Sequence, residues 1–204
     1  MAKLLKILKD NKDAIIKPIV VLFAICIVIP LALSITNKIT VERIAELEAQ
    51  NEKNAMSQLI KAENFEEKKE PFGYYIAKNG EETLGYIFVT ASKGYGGEVS
   101  VMTAVNTDGT VKSIAILDAS NETPGLGQNV TKENFYSQYS GKTNGVSIVK
   151  SGAVGENNEV NAVTGATISS TAVTNAVNEA LDNYKKVAAE TSILSESEVK
   201  ADEK

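Results

Sequence analysis

The sequence predicts an α+β domain, an antiparallel sheet with packed helices, preceded by one N-terminal transmembrane helix. Three observations carry that reading. Pro18 to Ile35 runs without a charge, about the minimum length for a helix that spans a bilayer. Beyond Gly73, apolar residues alternate with smaller or polar ones, the period of a half-buried strand. Near the C-terminus they recur instead at helical spacing. The chain has 204 residues and a formal net charge of −5, which suits one soluble domain of ordinary size plus an appendage.

Lys3, Lys6, Lys9, Lys12 and Lys17 precede the apolar run, against Asp10 and Asp13, whereas Lys38 and Arg43 follow it among Glu42, Glu46 and Glu48. This lysine excess places residues 1–17 in the cytoplasm, residues 18–36 across the cell (inner) membrane as a single pass, and everything after Thr36 outside. Pro30 interrupts the run, which membrane helices tolerate better than soluble ones. A cleaved signal peptide is the rival reading, because Ala32-Leu33-Ser34 resembles a small-x-small cleavage site. Both readings deliver the domain to the same side. Cys26, the single cysteine, lies in the run as a small apolar residue.

Residues 37–70 carry a broken apolar stripe of Val41, Ile44, Leu47, Ala55, Leu59 and Ile60, as a helical stalk or packing helix would. The extracytoplasmic domain is expected at 71–188. Leu84, Tyr86 and Phe88 form one alternating set, and Val99, Val101 and Val105 another. Asp108-Gly109 separates the second set from Val111–Leu117, a hairpin signal because glycine accepts positive φ. A short helix is expected at Phe135–Tyr139, and short strands at Gly145–Lys150 and Glu159–Val163. Val173, Ala176, Val177, Ala180, Leu181 and Tyr184 line one face of a final helix. Residues 189–204 have the acidic, polar composition of a disordered tail.

The absent residue types bound the chemistry. The chain has no histidine, which excludes a Ser-His-Asp triad and any His-ligated metal site. One cysteine offers neither a Cys-rich metal site nor an intramolecular disulfide. The acidic balance, with no basic and aromatic patch, argues against nucleic acid. No metal site and no independent catalytic residue are expected, and redox work would need an organic cofactor.

Asn161–Thr171, NAVTGATISST, crowds hydroxyls at the start of the final helix: Thr167, Ser169, Ser170 and Thr171. One reading is a helix cap, which needs one hydroxyl. The other is an anion site, since free N–H groups and the positive dipole end converge there. Gly165 and Ala166 would let a phosphate approach the backbone. Residue spacing alone leaves both readings open.

Thr164-Gly165-Ala166-Thr167-Ile168-Ser169-Ser170 resembles the [S/T]-G-A-T-x-[S/T]-[S/T] motif of FMN-binding domains. These occur in the G subunit of the Rnf ion-translocating electron transport complex and the C subunit of the related Nqr complex. Asn121-Glu122-Thr123-Pro124-Gly125-Leu126-Gly127 contains the E-T-P-G-L-G signature of that family, and Lys93-Gly94-Tyr95-Gly96-Gly97 resembles its G-Y-G-G loop. The order and spacing match, and the resemblance extends to about Val187. Many relatives place a histidine where Ser120 stands, so no proton-handling role carries over there. Asn121-Glu122-Thr123 and Asn129-Val130-Thr131 match N-glycosylation sequons, and the bacterial-type resemblance implies that both are coincidence.

The resemblance implies a covalent FMN, joined through its phosphate to Thr167 by a separate flavin transferase that uses FAD as donor. Thr164, Gly165, Ala166, Ser169 and Ser170 would shape the phosphate site, with Ser169 and Ser170 donating hydrogen bonds to it. Glu122, Thr123, Pro124, Gly125, Leu126 and Gly127 would line the flavin. The implied function is electron transfer within a membrane complex that couples ferredoxin:NAD oxidoreduction to Na⁺ or H⁺ translocation, with the other membrane subunits as partners. Such a chain would be a redox subunit of a translocase. Two alternatives stand beside it: a free-standing tethered flavoprotein serving an extracytoplasmic acceptor, and an anchored binding module in which Thr167 is a cap.

Overall fold

The computed structural model describes residues 12–150 and 158–202, with side chains described for 16–150 and 158–190. The predicted lysines Lys3, Lys6 and Lys9 lie outside the described residues. The chain divides after Gln50 into two units.

Helix α1 spans Lys12–Leu59 without a break, through Pro18 and Pro30. Residues 16–50 are exposed throughout. By length and composition this helix suffices to cross a membrane. Cys26 is a free, exposed cysteine on it.

In the second unit, five strands form one antiparallel meander in the order β1–β5. They are β1 (Asn64–Lys68), β2 (Tyr74–Asn79), β3 (Glu82–Lys93), β4 (Glu98–Val105) and β5 (Val111–Asp118). The sheet therefore begins ahead of residue 71, within the segment read as stalk. Asn79-Gly80 turns β2 into β3, and Gly80 has φ +58°, the positive value such a turn demands.

The sheet is covered on both faces. Phe88, Val99, Val101 and Val105 point to one side, where they meet Val173, Ala176, Val177, Ala180 and Leu181 of the last helix. Ile87, Met102 and Ala104 point to the other, against Ala55, Met56 and Leu59 at the end of α1. The period-2 alternation predicted for β4 thus sorts its side chains between two cores. Leu84 departs from its predicted set and packs with Ile87 rather than with Tyr86 and Phe88. The β2–β3 pairing steps from Ala77↔Gly85 to Lys78↔Thr83, so Leu84 is the extra residue of a bulge and the face inverts there.

After β5 come a 3₁₀ turn at Gly127–Thr131, the short helix α2 (Glu133–Tyr136) and a second 3₁₀ turn at Ser137–Tyr139. Strands β6 (Ser147–Val149) and β7 (Glu159–Asn161) occur where short strands were expected, but pair parallel in a sheet of their own. Helix α3 covers Thr167–Asp202. It passes through the segment read as a disordered tail, where Ala, Glu, Leu and Lys favour helix intrinsically.

Candidate functional site

The predicted motifs converge on the N-terminus of α3. Val163–Ala166 is a turn closed by the Ala166 N–H on the Val163 carbonyl at 2.9 Å. Gly165 stands third with φ +78°, a value side-chain-bearing residues rarely adopt. Thr123–Leu126 is built the same way, with Leu126 N–H on the Thr123 carbonyl at 3.1 Å and Gly125 at φ +76°. Its Pro124 presets the second position.

Between these turns lies a pocket of about 550 Å³ lined by Tyr95, Thr123, Leu126, Gly127 and Gly165–Ser169. Ligand pockets commonly fall in this size range. Tyr95, Leu126 and Ile168 are 71%, 47% and 54% exposed, and beyond α1 they are the exposed large apolar side chains among the described residues. All three border this one pocket, which concentrates apolar surface that a folded domain otherwise buries.

The hydroxyls of the motif have separate fates. Ser170 Oγ–H donates to the Ala166 carbonyl at 2.9 Å and accepts the Val163 N–H at 3.0 Å. Thr171 Oγ1–H donates to the Thr167 carbonyl at 2.8 Å. Ser169 Oγ–H donates to the Glu122 carboxylate. Neither Ser169 nor Ser170 therefore has its proton free for a phosphate, contrary to the donor role expected of them. Among the described residues no hydroxyl accepts from the first N–H groups of the helix, and the residue before it, Ala166, has no side-chain acceptor. The backbone N–H groups of Thr167, Ile168 and Ser169 make no hydrogen bond among the described residues. Thr167 Oγ1 has no partner either, and it borders the pocket. Thr164 faces a neighbouring groove with Asn129, Lys132 and Asn161 instead.

Glu122 is placed differently from its prediction. It is 1% exposed and lies beneath the pocket rather than on its lining. Burial alone would push its carboxyl up. Hydrogen bonds from Ser169 Oγ–H and Gly96 N–H, with the nearby N–H groups of Gly97 and Tyr95, outweigh burial and hold it below the ordinary carboxylate value. Pro124 and Gly125 are exposed on the outer turn and are not among the lining residues, nor is Ser120.

The glycines of the two loops are explained by this packing. A Cβ on Gly94 would sit 2.3 Å from Glu122 Oε1, and one on Gly96 1.9 Å from the Asn121 carbonyl oxygen. A Cβ on Gly127 would sit 2.6 Å from Glu122 Oε2. The G-Y-G-G and E-T-P-G-L-G segments thus interlock, and side chains at these positions would part them.

Tyr95 and Ile168 are site residues that sequence reasoning passed over. Each left a signal: Tyr95 is a lone aromatic among glycines, and Ile168 is off the apolar phase that starts at Val173.

Comparison with known proteins agrees with this geometry. The FMN-binding domain family matches residues 94–182, which contain every lining residue of the pocket. The G subunit of the proton-translocating ferredoxin:NAD(+) oxidoreductase complex of Clostridium ljungdahlii is 34% identical over 159 residues, 77% of this chain and 84% of that protein. The G subunit of the Na(+)-translocating complex of Acetobacterium woodii is 34% identical over 188 residues, 82% of this chain and 90% of that protein. Among solved structures, the C subunit of the Na(+)-translocating NADH-quinone reductase of Parabacteroides distasonis aligns with a TM-score of 0.50 at 25% identity. That match covers 57% of this chain and 62% of that one. The extent and identity of these matches show that the chain belongs to the family of G subunits of ion-translocating ferredoxin:NAD(+) oxidoreductase complexes, built on an FMN-binding domain.

Proposed function

We propose that this protein is the FMN-carrying, electron-transferring G subunit of an Rnf-type complex that couples ferredoxin:NAD oxidoreduction to Na⁺ or H⁺ translocation, with FMN esterified to Thr167. It is a membrane protein and one redox subunit among several. The relatives' names and the FMN-binding domain support the function and the partners. The apolar helix α1 supports the membrane. The lysine-rich residues before the span support a cytoplasmic N-terminus and an extracytoplasmic FMN domain.

One observation carries the attachment site. Of the hydroxyls from Thr167 to Thr171, that of Thr167 alone has no partner among the described residues, and Thr167 borders the pocket at a helix start whose first three N–H groups are unpaired among those residues. The residues fit the group. The N–H donors and the helix dipole favour a phosphate there, and Gly165 keeps side-chain bulk from its approach. Tyr95, Leu126 and Ile168 offer apolar faces to a flat ring and exclude water. Thr123 and Gly127 would complete the wall, and Gly125 and Pro124 would shape it through their turn. FMN supplies reversible electron transfer; the chain holds it in place. An ester bond serves a flavin outside the cytoplasm, where a dissociated one is lost by diffusion.

The test is intact mass of the chain from its native membrane, beside a Thr167→Val variant. The native chain should exceed its sequence mass by one FMN less one water and fluoresce on a denaturing gel. The variant should fold and stay dark. Equal fluorescence in both, or an unmodified native chain, overturns the assignment.

A further inference from the structure

Glu122 is a fully buried carboxylate that the function proposed above does not use. Among the described residues, its carboxylate is held by donors from two sides. Gly96 N–H reaches Oε1 at 2.9 Å, and Ser169 Oγ–H donates to Oε2. A carboxylate accepts about four hydrogen bonds and carries no donor of its own. No other side chain of this size satisfies that set.

The two donors come from two segments that are distant in sequence. One is the β3–β4 loop, which carries Tyr95. The other is the first turn of α3, which carries Thr167 one turn-face away from Ser169. Glu122 itself begins the Thr123–Gly127 wall. The carboxylate is therefore bonded, by hydrogen bond or by chain, to all three walls of the pocket. The steric evidence agrees, since Gly94 and Gly127 leave room for its two oxygens and for nothing more.

We propose that Glu122 is the positioning residue of the flavin pocket: it clamps the Tyr95 loop and the first turn of α3 to the Thr123–Gly127 wall, so that the Thr167 hydroxyl, the free N–H groups and the apolar faces address one ligand. This rests on the FMN reading for its ligand, but the clamp itself is a property of the flavin-free chain.

Glu122→Gln keeps the size and turns one acceptor oxygen into a donor facing donors. In full-length protein in detergent, without flavin, amide hydrogen exchange at Gly96 should quicken at least tenfold. Corrected for intrinsic rates, exchange there in the native chain should quicken on acidification as the carboxylate takes up a proton, and the Gln variant should show no such pH dependence. Covalent loading from FAD by a flavin transferase should slow at least tenfold. Unchanged exchange, a pH profile that survives in the Gln variant, or native loading despite faster exchange each overturns the clamp. If Glu122→Gln does not fold, Ser169→Ala decides. It cuts the tie to α3 alone, so the Gly96 amide should stay protected while loading slows, and native loading refutes the proposal. A native chain that takes no flavin sinks the FMN reading, and the clamp is then judged on exchange and its pH profile.

Discussion

Gly127→Ala tests the interlocking of the two glycine-bearing loops. Gly127 is buried in the 3₁₀ turn after the pocket wall. An added Cβ would lie 2.6 Å from Glu122 Oε2, 2.8 Å from Ser169 Oγ and 2.9 Å from Glu122 Cβ. Both polar atoms belong to flexible side chains, but neither can swing away, because each is pinned in the bond between them. Overpacking of this kind costs about 1–3 kcal/mol. Breaking a hydrogen bond to a charged, buried partner adds about 1.5–3 kcal/mol. The sum, about 3–6 kcal/mol, is a large share of the ~5–15 kcal/mol that holds a typical domain folded. At roughly 2–4 °C per kcal/mol for a unit of this size, even about 3 kcal/mol lowers the melting temperature by about 6–12 °C. The assay is thermal unfolding of the full chain in detergent, followed by circular dichroism. Gly73→Ala is the control, since a Cβ there meets nothing within 4 Å and should shift stability by no more than about 0.5 kcal/mol. If Gly127→Ala melts with Gly73→Ala, the close packing around Glu122 is not what requires glycine.

Two further outcomes follow from buried hydroxyl and carboxyl groups. Glu122 is held below the ordinary carboxylate value, so in acid the unfolded chain binds the proton that the native chain refuses. Its stabilising share is present above about pH 4.3 and is lost as pH falls through the native value; urea midpoints should drop on acidification more steeply for the native chain than for Glu122→Gln. Burial pushes the Tyr139 hydroxyl well up, against a smaller opposing effect of Thr174. The native state thus keeps that proton when the unfolded chain releases it, and stability should decline above about pH 10. Tyr139→Phe should lack this alkaline component. At neutral pH it should be destabilised by only about 1 kcal/mol, because Thr174 still donates to the Ser170 carbonyl at 3.1 Å.

Legibility in the sequence followed the range of the interaction. The helical phase of Val173–Leu181 and the alternation of Val99–Val105 report burial directly, and the structure buries them as read. Asp108-Gly109 marked its turn, with Gly109 at φ +85°. Asn79-Gly80 carries the same signal two hairpins earlier, yet the expected strands do not include β1 and β2. Leu84 could not have been placed by counting, since a single bulge residue inverts every later face. The C-terminal segment shows the reverse case, where local helix propensity prevails over an acidic composition.

By itself the sequence determined the local chemistry. It set a charge-free run long enough to span a bilayer, glycines where turns need positive φ, and a T-G-A-T turn ahead of a helix. These depend on residues within a few positions of one another, so adjacency in the chain suffices. Only the tertiary structure decided the fate of Ser169, whose hydroxyl is taken by Glu122, far off in sequence, whereas Ser170 and Thr171 are taken by carbonyls one helical turn back. It alone brought Tyr95, Leu126 and Ile168 to one rim and turned a signature glutamate from a lining residue into a buried acceptor. Hydrogen-bond saturation and van der Waals exclusion act between atoms that meet only after folding, and no spacing in the chain encodes them directly.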